Sequence, residues 1–105
     1  MNILDKIIAH KKQEVAQLMK EVSLEKLVKS PNFKRTPISL KEALTFKNST
    51  GIIAEYKRQS PSKGIINDKA TIIEVTQGYL EANVAAQSIL TDTHFFGGNI
   101  LDIIQ

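Results

Sequence analysis

The chain has 105 residues, 42% of them apolar and 24% charged, which suits one small domain of ordinary globular composition with a modest core. It contains no cysteine, which excludes disulfides, thiolate catalysis and a cysteine-ligated zinc site. All 14 lysines and arginines and seven of the 11 acids fall in residues 1–69, so the net charge of +3 divides into +7 there and −4 beyond. This split is expected of a second part that is mostly interior. The alternative, a nucleic-acid or acidic-lipid surface, is disfavoured because the basic residues are not clustered with aromatic ones.

In chain order, Leu4, Ile8, Val15, Leu18, Met19 and Val22 recur at helical spacing and predict an amphipathic helix from Ile3 to Val22. Asp5, Glu14 and Glu21 interrupt its lysines, which favours a helix docked on a neighbouring body over a membrane-surface helix. Ser23 is placed to cap a short helix carrying Leu24, Leu27 and Val28, ended by Ser30-Pro31-Asn32. Ser39 and Glu42 have the spacing of a capping box ahead of Leu40, Ala43 and Leu44. A turn over residues 47–51 leads into a strand from Ile52 to Lys57, bounded by Pro61 and Gly64.

Asp68 reads as the cap of a helix over residues 69–82, with Ile72, Ile73, Thr76, Tyr79, Leu80 and Asn83 near one face. A second strand, Ala86 to Leu90, stops at Thr91-Asp92-Thr93. A glycine-bearing loop from His94 to Asn99 follows, and Asn99 is placed to cap a last helix from Ile100. The alternation of strand, helix and strand predicts a parallel α/β arrangement. Two strands leave both sheet edges open and cover little core, so the sequence reads as the front portion of a larger α/β protein.

No apolar run reaches the length of a membrane span, and the N-terminus lacks the pattern of a signal peptide, so the cytoplasm is the expected compartment. His10 and His94 lack metal-ligand spacing, and no metal is expected.

The chemistry-bearing stretch runs from Ile52 to Gly64. Alternation along a strand puts Glu55 and Lys57 on one face and Ala54 and Tyr56 on the other. Buried on an inward face, each charge would cost several kcal/mol, roughly, to desolvate unless paired or used. The pair reads either as catalytic or as a same-face ion pair on an edge strand. Ser60 and Ser62 suit a turn, since their hydroxyls can bond nearby backbone. Arg58 and Lys63 fit loop salt bridges or solvated positions as well as an anion-binding mouth, and Phe95 and Phe96 fit a core as well as a pocket wall.

Ile53-Ala54-Glu55-Tyr56-Lys57-Arg58-Gln59-Ser60-Pro61-Ser62-Lys63-Gly64, with Ser88-Ile89-Leu90-Thr91-Asp92 and Phe95-Phe96-Gly97-Gly98 downstream, resembles the indole-3-glycerol phosphate synthases. The resemblance also takes in Ile3-Leu4-Asp5-Lys6-Ile7, which suits the helical extension that precedes the first barrel strand in that family. It implies the N-terminal part of a (β/α)8 TIM barrel of ~250 residues. Residues 1–50 would be the extension and 51–105 about the first two βα units.

The implied activity converts 1-(2-carboxyphenylamino)-1-deoxyribulose 5-phosphate into indole-3-glycerol phosphate, a step of tryptophan biosynthesis, with loss of carbon dioxide and water and no cofactor. Resemblance further implies catalytic roles for Glu55 and Lys57, substrate contact at Ser60, and an apolar wall for the anthranilate ring at Phe96. Arg58 and Lys63 join Ser60 as candidate substrate-binding residues. The family's further essential lysine on the third strand, its other middle-strand residues and its phosphate cradle have no counterpart here. The 105-residue chain alone is therefore expected to be inactive and to self-associate through open strand edges. The competing readings are a self-associating scaffold without catalysis and a basic module that binds anions or nucleic acid.

Overall fold

The structure, a computed structural model, describes residues 2–105. Local capping explains where most helices begin. The Asn2 side chain accepts the Asp5 N–H at 2.8 Å and opens α1 (Ile3–Glu21). Ser23 accepts the Lys26 N–H at 3.2 Å ahead of α2 (Leu24–Val28), and Ser39 accepts the Glu42 N–H at 3.2 Å ahead of α3 (Leu40–Thr45). Each cap satisfies one of the N–H groups that a helix start leaves without a partner.

The chain divides into two compact units, residues 1–38 and 39–105. The first contains α1 and α2. The apolar stripe of α1 stays open, with Leu4, Leu18 and Met19 each more than half exposed. The second unit begins with α3, which packs against a strand.

That second unit is built on two parallel strands, β1 (Ile53–Tyr56) and β4 (Ala86–Ile89), with Glu55 opposite Ser88 and Tyr56 opposite Ile89. Pairing continues beyond both ends, since Ala85 N–H donates to the Ile52 carbonyl at 2.8 Å and Leu90 N–H to the Tyr56 carbonyl at 3.2 Å. Between them lie a two-residue antiparallel ribbon, β2 (Gln59–Ser60) with β3 (Gly64–Ile65), and the helix α4 (Ile72–Glu81). The short helix α5 (Leu101–Ile104) follows β4. The architecture is mixed α/β with a parallel strand pair, and the described residues do not close a barrel.

Three local expectations are corrected. Asp68 does not cap α4; Thr71 does, its hydroxyl accepting the Glu74 N–H at 3.1 Å, while Asn67 turns the preceding loop by accepting the N–H groups of Lys69 and Ala70. The inward face of α4 is Ile72, Val75, Thr76 and Tyr79, and Ile73 and Leu80 are exposed, because the sheet covers only one edge of the wide expected stripe and periodicity does not say which edge. The turn expected around Ser60 and Ser62 is present as the tip of a small hairpin, residues 61–63, between Ser60 and Gly64; Gly64 has φ +64°, a conformation glycine adopts without a Cβ penalty. Asn99 is not the cap of α5, which opens at Leu101 with Ile100 in the cap position and no side-chain cap, although the Asn99 side chain accepts the Leu101 N–H at 2.9 Å just ahead of it.

Among the described residues the buried apolar side chains are Tyr56 and Ile72, one from β1 and one from α4. The core therefore lies between the sheet and α4. The opposite sheet face, which carries Ile53 and Glu55, is open. No helix is long and apolar enough to cross a membrane among the described residues.

Candidate active site

The open face of β1 presents Glu55 and, one step past the strand end, Lys57. Neither is buried: their side chains are 44% and 33% exposed. The expected cost of desolvating both is thus not incurred, because nothing covers this face among the described residues. The two form an ion pair, Lys57 Nζ lying 3.3 Å from Glu55 Oε1. The second carboxylate oxygen, Oε2, accepts a hydrogen bond from the Ser88 hydroxyl on β4 at 3.0 Å. The Lys57 ammonium also lies 5.4 Å from the centroid of the Phe96 ring, within range of a cation–π contact.

Phe96 is brought there by a loop tied to the end of β4. Asp92 accepts the Phe95 N–H on its side chain at 2.8 Å and the Gly98 N–H on its carbonyl at 2.7 Å, and Thr93 donates its hydroxyl to the Gly98 carbonyl at 2.9 Å. Gly98 passes so close to β4 that a Cβ there would stand 2.0 Å from the Leu90 carbonyl oxygen. Only glycine fits that approach.

The remaining expected residues are placed differently. Ser60 sits in the hairpin, where its hydroxyl accepts the Lys63 N–H at 3.3 Å and lies 3.4 Å from the Ser62 hydroxyl. Lys63 is exposed at the hairpin tip. Arg58 reaches across to α5 and grips Asp102 with both terminal nitrogens, Nη1 to Oδ2 and Nη2 to Oδ1 at 2.9 Å. Asp102 is only 5% exposed and also accepts the Asn99 N–H at 3.1 Å. The Arg58 hydrogen bonds hold its carboxyl below the usual carboxylate range, against the opposing effect of burial. The same bonds raise Arg58 above its ordinary value, and its guanidinium stacks 5.2 Å from the Tyr56 ring.

So Glu55, Lys57 and Phe96 come together, whereas Ser60, Lys63 and Arg58 occupy the hairpin and the clamp to α5. Sequence reading did not single out Ser88 or Asp102. Ser88 lies inside the second motif, and only the strand register shows that it faces Glu55; no signal in the sequence pointed to Asp102.

An open cleft of about 370 Å³ lies at the end of β1 towards α4, with Glu55, Tyr56, Lys57, Ile66, Asn67 and Tyr79 among its lining residues. Phe96 is not part of that lining. Among the described residues no three His, Cys, Asp or Glu side chains converge as a metal site would require. The arrangement supplies an ammonium able to donate a proton or hold an anion, a carboxylate that orients it, and a flat apolar surface beside both.

Residues 4–105 match the family described as indole-3-glycerol phosphate synthase. The chain is 46% identical to the indole-3-glycerol phosphate synthase of Bacteroides thetaiotaomicron over 102 residues, covering 97% of this chain and 39% of that protein. It is 40% identical to the enzyme of that name from Opitutus terrae, over 95% of this chain and 38% of the relative, and 38% identical to the one from Acaryochloris marina, over 99% and 34%. The chain spans less than two-fifths of the length of each of these curated relatives. With the Glu55–Lys57 pair at the strand end and a match over nearly all its residues, the chain belongs to the indole-3-glycerol phosphate synthase family.

Proposed function

We propose that this chain supplies one wall of the active site of an indole-3-glycerol phosphate synthase, in the cytoplasm. Residues 1–50 form its helical extension and residues 51–105 the first two βα units of a (β/α)8 barrel. The reaction closes a ring: the aromatic carbon bearing the carboxylate attacks the ketone of 1-(2-carboxyphenylamino)-1-deoxyribulose 5-phosphate, carbon dioxide leaves, and the resulting hydroxyl departs as water. Lys57 donates a proton to the developing alkoxide or holds the substrate carboxylate. Glu55 orients the Lys57 ammonium and shares in proton transfer. The Phe96 ring forms a wall for the anthranilate group, and no cofactor is needed.

Ser60 and Lys63 face the anionic part of the substrate. Arg58 carries its positive charge in the same mouth while its guanidinium is tied to Asp102. The observation that supports the reading is the 3.3 Å Glu55–Lys57 pair, set beside the Phe96 ring in a chain of this family. The open edges of β1 and β4 and the thin core also favour self-association of this chain, which sedimentation would detect as a mass above the monomer's.

The test joins residues 1–105 to the C-terminal remainder of the Bacteroides thetaiotaomicron relative and follows formation of the indole chromophore. The folded hybrid is expected to turn over, and Lys57→Met to lose at least ~100-fold in kcat/KM. A folded, active hybrid in which Lys57→Met is near normal would refute the assignment.

A further inference from the structure

We propose that Ser88 is a positioning residue, whose hydroxyl fixes the Glu55 carboxylate so that Glu55 in turn holds the Lys57 ammonium against the Phe96 ring. Parallel pairing sets Glu55 directly beside Ser88. Gln87, its neighbour, points the other way and donates to the Thr76 carbonyl of α4 at 3.0 Å, which leaves Ser88 on the open face with Glu55 and Lys57.

The two carboxylate oxygens divide the work. Oε1 takes the lysine at 3.3 Å and Oε2 takes the serine hydroxyl at 3.0 Å. The division matters because Glu55 is exposed. An ion pair between two solvated side chains is worth little and holds no single geometry. A hydroxyl on a short side chain, mounted on an adjacent strand, anchors one oxygen at small entropic cost and restricts where the other can lie. The ammonium then stays within 5.4 Å of the ring centroid. The catalytic meaning of this relay rests on the synthase reading, but the relay itself is a matter of geometry.

The experiment is proton NMR on the 105-residue chain, reading the Lys57 ε-methylene shift, which the Phe96 ring current moves upfield only while the lysine stays near the ring. Ser88→Thr keeps the hydroxyl, and Ser88→Val has nearly the shape of that threonine with a methyl group in place of the hydroxyl; both residue types suit a strand. The parent and Ser88→Thr are expected to show the upfield shift, and Ser88→Val to lose it while amide dispersion persists. An equal shift in Ser88→Val overturns the proposal, and so does a parent chain without the shift. Amide dispersion that collapses in Ser88→Val but survives in Ser88→Thr assigns the hydroxyl to folding and overturns the positioning role. No turnover is read, so a failed synthase assay leaves this result standing, and a failed relay leaves the synthase assay unaffected.

Discussion

Removing either partner of the Arg58–Asp102 clamp should destabilise the chain, but by unequal amounts. Asp102 is 5% exposed, whereas the Arg58 side chain is 32% exposed. Replacing Asp102 with Asn leaves a guanidinium that water can still reach over about a third of its surface. Replacing Arg58 with Met leaves a nearly enclosed carboxylate with the Asn99 N–H as its recorded donor. A hydrogen bond to a charged group contributes about 1.5–3 kcal/mol, an exposed ion pair well under about 1 kcal/mol, and an uncompensated buried charge costs about 3–5 kcal/mol. Discounting for the exposure of Arg58, Asp102→Asn is expected to cost about 1 kcal/mol and Arg58→Met about 2–3 kcal/mol, with a coupling of about 1–2 kcal/mol between them.

The pH dependence follows from the direction of the Asp102 shift. Its folded value lies below the ordinary one, so its contribution is complete above the unfolded value of about 3.9 and is lost as pH falls through the lower, folded value. The gap between the parent and Asp102→Asn should therefore be constant from neutral pH down to about 5 and close below about 4. Urea unfolding followed by helical circular dichroism, run as a double-mutant cycle across that range, measures all of these quantities. Equal costs for the two variants, or a gap unchanged at acid pH, would show that the clamp does not carry the charge energy assigned to it.

Gly98→Ala should destabilise by about 1–3 kcal/mol or more, because its Cβ meets backbone at the end of β4. Gly78→Ala, with open space around the new Cβ inside α4, should stabilise by up to about 1 kcal/mol, and thermal melts of the pair separate the two cases. Thr71→Ala removes the α4 cap and should cost about 1 kcal/mol, recovered by Thr71→Ser. The 105-residue chain by itself should show no synthase turnover, since Glu55 and Lys57 stand open to solvent; product above a lysine blank would contradict this.

Helix starts were legible where a cap and its partner lie three residues apart, as at Ser23 and Ser39, since such a bond depends on nothing remote. The same logic missed Thr71 because Asp68 offered a competing cap, and the choice turned on where Asn67 ends the preceding loop. The apolar face of α4 was misassigned at Ile73 and Leu80 because periodicity gives the stripe, whereas the docking of the helix on the sheet decides which edge of it is covered. The alternation that puts Glu55 and Lys57 on one face follows from strand geometry alone, and their pairing was accessible from it.

By itself, then, the sequence determined what is local or recorded in motif: the caps at Ser23 and Ser39, the two strands, the Glu55–Lys57 face, and the family that its two motifs resemble. Tertiary structure alone decided which side chains meet across distance. The register of β1 against β4 put Ser88 on Glu55, and the return of the chain into α5 put Asp102 under Arg58, 44 residues away. It also decided that the charged face lies open. Backbone preferences and caps act over a few residues, whereas register, burial and ion pairing depend on which segments are brought alongside one another.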